Sequence, residues 1–202
     1  MASPEERAAT AKSLRGEVRQ VLGDTGLFAL LDRRWGQPQV TGSAGYDLMV
    51  WRDINLHMAV EPDRWVEWLG FAREVSDQLE SVGLSLASAR YINSYVEPHG
   101  RGSGLNWLFG FKDSAGEAWS LDIWGWDPFD YAVRQAREFT LRTDLSACDR
   151  DLILRLKTEA RARPHYYGVR LSAIDIYEFA IAKAGTSLSD LERWKAAPIK
   201  HA

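Results

Sequence analysis

Three stretches in the middle of the chain alternate with a period of two: Ser85 to Val96, Leu105 to Phe111 and Ala118 to Trp126. Only short turns separate them, Glu97-Pro98-His99-Gly100-Arg101-Gly102 and Asp113-Ser114-Ala115-Gly116. Turns this short leave no room for a crossover helix, so the stretches are expected to form an antiparallel meander. Most of the rest of the chain carries helical patterning, so the fold must place helices around this sheet. The class is therefore α/β, with room for two more short strands upstream.

Those strands are read at Pro38 to Thr41 and at residues 53–60, joined through a Gly42-Ser43 turn and a short helix from Tyr46 to Trp51. Ahead of them, residues 4–22 pattern as a helix. Ser3 is its cap, Pro4 sits in its first turn and Glu6 closes a capping box, and Gly23 follows its end. A second short helix, Leu27 to Arg34, is capped by Asp24 or Thr25 and stopped by Gly36. Glu61-Pro62-Asp63 opens a long helix closed by Gly83, with Trp65, Trp68, Leu69, Ala72, Val75, Leu79 and Val82 as its core stripe. After Trp126 the chain reads as helical to its end. Asp127-Pro128 starts a helix to about Arg142, Ser146 with Asp149 caps a second, and Ser172 with Asp175 caps a third. A fourth runs from Ser187 to Ala196. The division expected is 1–126, an α/β domain with N-terminal helices, and 127–202, a helical subdomain.

The chain of 202 residues is 46% hydrophobic, enough to bury a full core, and carries a formal net charge of −3. That balance argues against a general nucleic-acid electrostatic footprint. A single cysteine, Cys148, excludes an intrachain disulfide framework. No apolar run reaches the roughly 20 residues that a bilayer demands, and the N-terminus lacks signal-peptide character. A cytoplasmic location without membrane contact is the expectation.

Acidic residues on strands are the chemical signal, because strands normally exclude them. Asp53, Asn55 and His57 share one face of their strand by alternation. Asp122 sits among apolar neighbours in Trp119-Ser120-Leu121-Asp122-Ile123-Trp124 and must find a hydrogen-bond partner, a cation or water. The bland reading makes Asp122 a solvated residue on a half-exposed sheet. Trp124 and Trp126 share its face; Trp126 is expected to pack under the C-terminal helices, while Trp124 stays open between such packing and stacking on a base or a sugar.

Gly42 and Ser43 ahead of a short helix, then Asp53 and Asn55 on one strand, then Asp122 on a later strand, resemble the nucleotidyltransferase superfamily of the DNA polymerase β type. The likeness covers roughly residues 27–126. It implies a mixed, mostly antiparallel five-stranded sheet with helices packed on it and a C-terminal helical subdomain. It also implies metal-dependent transfer of a nucleotidyl group from an NTP to an acceptor. Asp53 and Asp122 would bind Mg²⁺ or Mn²⁺, Asn55 would assist, and Gly42 with Ser43 would cradle the triphosphate, with Trp124 beside the substrate. In the family the second position of Asp-x-Asp is a carboxylate that bridges two metal ions. Asn55 is neutral, which removes a full negative charge and weakens the second metal site. Two classes stay open: a transferase with a small-molecule acceptor and no long nucleic acid, or an impaired nucleotidyltransferase-fold protein that binds a nucleotide or a protein partner.

Other signals are weaker. His57 would favour Mn²⁺ or Zn²⁺ as a ligand, but a lone strand histidine is more often structural; His99 and His165 lack zinc spacing. Gly100-Arg101-Gly102-Ser103-Gly104 reads as a hairpin tip, since no helix follows it to hold a phosphate. Arg161, Arg163, Tyr166, Tyr167 and Arg170 cluster around Pro164, either as a solvated helix end or as contacts to phosphate or base.

Overall fold

The computed structural model describes residues 2–96 and 102–197. Its five strands are β1 (Gln39–Thr41), β2 (Asp53–Ala59), β3 (Ser85–Asn93), β4 (Gly104–Lys112) and β5 (Ala118–Trp126). They form one sheet in the order β1-β2-β5-β4-β3. The last three strands pair antiparallel in sequence order, as their short turns require. β2 instead inserts beside β5 in parallel, with Asn55 opposite Asp122, and carries β1 antiparallel on its outer edge. The mixed, mostly antiparallel five-stranded α/β architecture expected from the sequence is the one found. Residues 97–101, which include most of the first meander turn and His99, lie outside the described residues.

Alternation sorts the sheet into two faces. Ile54, Leu56 and Met58 of β2, Leu121 and Ile123 of β5, and Leu105, Trp107 and Phe109 of β4 point to one side and are buried. Helices α1 (Pro4–Asp24), α2 (Leu27–Trp35), α4 (Trp65–Gly70) and α5 (Ala72–Ser81) cover them, forming one apolar cluster. The Trp107 indole donates a 2.8 Å hydrogen bond to the Trp68 carbonyl, which ties α4 to the centre of the sheet. The opposite face carries Asp53, Asn55, His57, Ser120, Asp122, Trp124 and Trp126.

The C-terminal region consists of α6 (Pro128–Ser146), α7 (Arg150–Arg161), α8 (Ala173–Ile181) and α9 (Leu188–Ala196). A second apolar cluster, with Ile153, Leu156, Ile176, Phe179 and Leu191 at its centre, binds these helices together. It also takes in Ala11 from α1 and Leu48. Helix α1 therefore serves both clusters, Ala11 on one side and Leu14, Val18 and Leu22 on the other. No helix among the described residues is long and apolar enough to cross a membrane.

Four expectations need correction. The short helix is α3 (Gly42–Gly45), not Tyr46 to Trp51; Asp47 adopts φ +61°, which an α-helix cannot continue through. The long helix after Glu61 is a 3₁₀ turn, Pro62–Arg64, followed by α4 and α5, which meet at Gly70-Phe71. The buried stripe is Trp68, Phe71, Val75 and Leu79, which keeps helical spacing across the junction, while Trp65, Leu69 and Val82 are exposed. The cap of the second C-terminal helix is Asp149 alone, whose carboxylate accepts from the Asp151 and Leu152 amides, because α6 runs on through Ser146. The N-cap position of the second helix, α2, is Gly26, in left-handed geometry, and not Asp24 or Thr25, although the Thr25 hydroxyl accepts from the Leu27 amide at 3.3 Å. The capping boxes at Ser3, Ser172 and Ser187 are formed, the first two as read from the sequence.

Candidate functional site

Asp53 and Asp122 sit on neighbouring parallel strands, two residues out of register, since Asp53 pairs with Ser120 and Asn55 with Asp122. Strand spacing and rise put such diagonal Cα atoms roughly 8 Å apart, with both side chains on the same face. The surrounding polar groups are ordered around them. The Asn55 amide donates to Asp53 Oδ2 at 2.9 Å, and the Ser120 hydroxyl donates to Asp53 Oδ1. The Asn106 amide of β4 donates to Asp122 Oδ1 and, at 3.2 Å, to the Ile123 carbonyl. Each carboxylate is thus aimed by a neutral side chain from its own strand or a neighbouring one.

Gly42 follows β1 directly, with Thr41 paired to Asn55. It adopts φ +60°, the left-handed region that favours glycine, and a Cβ there would touch the Asn55 side chain at 3.5 Å. Gly45 is held to glycine by space, because a Cβ would meet the Val40 carbonyl oxygen at 2.7 Å. The turn therefore brings its backbone close to the acid-bearing strand. The Ser43 side chain points away from solvent. Its hydroxyl accepts from Lys157 Nζ at 2.5 Å and lies 3.2 Å from the Tyr177 hydroxyl.

Lys157 of α7 is fully buried. Its ammonium also donates to the Leu48 carbonyl at 2.6 Å and to Tyr177 at 3.3 Å. Burial pulls its pKa down to about 7, opposed by the attraction of Asp53. That attraction places the lysine within electrostatic reach of the acidic pair. Around it stand aromatic rings: Lys157 Nζ lies 5.1 Å from the Trp51 ring centre, the Arg161 guanidinium 4.6 Å from the same ring, and Tyr167 meets Trp51 edge-on at 4.6 Å. Arg161 and Tyr167 thus reach the neighbourhood of Asp53. Arg163 and Tyr166 turn outward instead, to Glu192.

His57 lies on the same face, farther along β2. Its Nδ1 has no hydrogen-bond partner among the described residues, and its ring meets Trp126 edge-on at 5.7 Å. Burial, and secondarily the nearby Arg134 charge, lowers its pKa to about 4. A neutral histidine beside a guanidinium and an indole is held as a packing residue. Trp124 and Trp126 are buried and stacked on each other, 4.3 Å apart and 2° from parallel. Arg134 of α6 covers the Trp126 ring at 3.5 Å. Trp126 packs as expected, and one face of Trp124 is taken by its neighbour.

Among the described residues no group of three or more His, Cys, Asp or Glu side chains is arranged to hold a metal ion. Two carboxylates on adjacent strands meet what a single Mg²⁺ asks of a protein, which is one or two carboxylates with water and phosphate oxygens completing the shell. The Asn55 amide, turned toward Asp53 as a donor, supplies no bridging charge for a second ion.

The sequence located Asp53, Asn55, Asp122, Gly42 and Ser43, and the structure brings them to one end of the β2–β5 ladder. It missed Lys157 and Tyr177, which arrive from the C-terminal helices. The signal for Lys157 was present: it lies in the apolar stripe Ile153, Leu154, Leu156, Ala160, where an ammonium needs a reason to be buried.

A comparison with protein-family models finds no match, and neither does one with curated proteins. Solved structures of Cid1 poly(U) polymerase align with 87% of this chain at 14% identity and a TM-score of 0.44. The complex of Cid1 with its short product ApU gives 13% identity and 0.45, and that with the UTP analog UMPNPP gives 12% and 0.39 over 79% of the chain. This chain spans about half the length of those structures, 53% of the first. Similarity of this degree does not fix an activity; the fold rests on the strand order and register of the chain itself.

Proposed function

We propose that the Asp53–Asp122 face is a nucleotidyl-transfer site, moving a nucleotidyl group from an NTP to a small-molecule acceptor. The observation that carries this reading is the diagonal placement of the two carboxylates on adjacent parallel strands, beside the Gly42-Ser43 turn. Phosphoryl-group transfer asks mainly for positioning and charge neutralisation. Asp53 and Asp122 would hold a divalent cation, preferably Mg²⁺, which when bound neutralises phosphate charge and lowers the pKa of a bound hydroxyl. Asn55 and Ser120 fix the orientation of Asp53. The turn offers first-turn backbone N–H groups that have no intrahelical partner. Because the Ser43 hydroxyl is committed to Lys157 and Tyr177, the positive charge near the turn comes from Lys157 and, at the rim, from Arg161. Both cations lie close to the Trp51 ring, at 5.1 and 4.6 Å from its centre, and that ring can offer an aromatic edge to a base.

A second reading, a nucleotide-binding module without turnover, is favoured by one observation: Asn55 satisfies Asp53 with a neutral amide where chemistry with two metal ions would want a charge. Pyrophosphate release with each NTP, Mg²⁺ or Mn²⁺ and a panel of small hydroxyl and amine acceptors separates the two. The transferase predicts turnover that Asp53→Ala lowers by at least about 100-fold, a few kcal/mol of transition-state stabilisation, and that Asn55→Asp raises. NTP binding with no turnover under any of these conditions, and none gained by Asn55→Asp, would leave the binding module standing.

A further inference from the structure

On the far side of β1 from β2, a cleft of about 490 Å³ opens between α1, α2 and α6. It shares no lining residue with the Asp53–Asp122 face itself, although Ala44 and Gly45 of α3, the helix that begins at the Gly42-Ser43 turn, form part of its wall. Three guanidinium groups line it, Arg15 and Arg19 from α1 and Arg142 from α6. No carboxylate among the described residues does. That is unusual for a chain of net charge −3 in which most described arginines have an acidic partner. Arg19 and Arg142 have no ion pair among the described residues, and Arg15 is held only at 3.7 Å by Asp47, which bonds Arg150 more closely at 2.9 Å. Glu138, one turn from Arg142 on α6, attracts it without forming an ion pair; burial raises the Glu138 pKa, and the Tyr46 hydroxyl donates to its carboxylate.

Bringing three cations together costs free energy through mutual repulsion, and a bound anion removes that cost. Guanidinium groups match phosphate with paired N–H donors, better than an ammonium does. The rest of the lining combines the Phe28 and Tyr131 rings and a few aliphatic groups with the side-chain amides of Gln37, Gln39 and Gln135. The volume lies in the range of a nucleotide-sized ligand. A second hollow of about 370 Å³ continues from it past Gly45, sharing Arg15 and Arg142. We propose that this cleft is a binding site for a phosphate-bearing small molecule of nucleotide size, with Arg19 and Arg142 clasping the phosphate and the ring lying toward Phe28. The site stands independently of the transfer reading.

The test is calorimetric titration of the whole chain with AMP, UMP, inorganic pyrophosphate and a ten-nucleotide single-stranded RNA, at low and at physiological salt. Mononucleotide binding is expected, weakening with salt, and unchanged in Asp53→Ala, so that failure of the transfer site does not erase it. The double variant Arg19→Gln, Arg142→Gln, both at exposed positions, should weaken that binding at least tenfold while its circular dichroism stays as in the parent. Phe28→Ala should weaken the mononucleotides more than pyrophosphate. Equal affinity in the parent and the double variant, or no binding of either mononucleotide, overturns the proposal. Pyrophosphate binding as tightly as AMP and UMP in the parent reduces the site to an anion hole and overturns it too, and RNA bound in preference to the mononucleotides replaces it with a strand-binding groove.

Discussion

Lys157 shows how a single side chain links stability to the site. Its folded pKa of about 7 lies below the usual lysine value of 10.5 because burial penalises the charged form. Between those values the unfolded chain binds the extra proton and the folded chain does not, so unfolding free energy must rise with pH from about 7 toward 10.5. Below pH 7 both states are charged and the burial cost is fully present. Denaturant unfolding at pH 7, 8.5 and 10 should show a gain on the order of 4 kcal/mol over that range, and Lys157→Met should lose the slope. Parallel pH profiles for the two proteins would refute the assignment. Had Lys157 been placed by helical pattern alone, it would have been an error in an apolar stripe; its meaning comes from Ser43 and Tyr177, more than a hundred and twenty residues of chain apart from each other. No local reading can supply such a partner. Asp53 and Asp122 were legible because charge on a strand is conspicuous by itself, whereas Ser120 and Asn106 are ordinary strand residues until register sets them against the carboxylates.

Helix α6 inverts the usual arrangement. Its 19 residues bury only Leu145 fully, while Phe129 and Phe139 are about three-quarters exposed. The side it turns to the sheet is polar: Tyr131, Arg134 and Glu138 lie at helical spacing, with Arg134 on Trp126 and Glu138 bound by Tyr46. A helix held by such contacts is less firmly seated than one held by apolar burial. His57 lies beneath it, neutral in the folded chain down to about pH 4 but protonated when unfolded below 6.5. The stability tied to its burial is complete above pH 6.5 and is lost as pH falls toward 4, on the order of 3 kcal/mol at the lower end. Hydrogen exchange across residues 128–146 should therefore accelerate between pH 6.5 and 4.5, after correction for intrinsic rates, and His57→Phe should remove most of the acceleration. An α6 that stays equally protected in both proteins would count against the link. Strands β4 and β5 were readable to within a residue because period and turn spacing agree, whereas β3 was read three residues too far, through Val96, where Ser94-Tyr95-Val96 already form a turn. The interruption at Gly70-Phe71 was not, since the buried Trp68, Phe71, Val75 and Leu79 keep helical spacing across it and periodicity carries no mark of the break.

At the scale of the molecule, α1 contributes to both apolar clusters, so neither can lose its packing without disturbing the other. Unfolding followed by tryptophan fluorescence, which reports mainly residues 1–126, where eight of the nine tryptophans lie, and by far-ultraviolet circular dichroism, which reports the helices of both regions, should give coincident transitions. Two separated midpoints would establish a division near residue 127 as two independent units. The parallel ladder between β2 and β5 joins strands made far apart in the chain. As the chain leaves the ribosome, β2 is complete at Ala59, yet its inner neighbour is not finished until Trp126, so a first hairpin with a raw inner edge must wait through the synthesis of more than sixty residues. The two acids face each other only across that late seam. The protein becomes competent at its proposed centre in the same event that closes its sheet, and a chain interrupted anywhere before β5 is left with half a site and an open, adhesive edge.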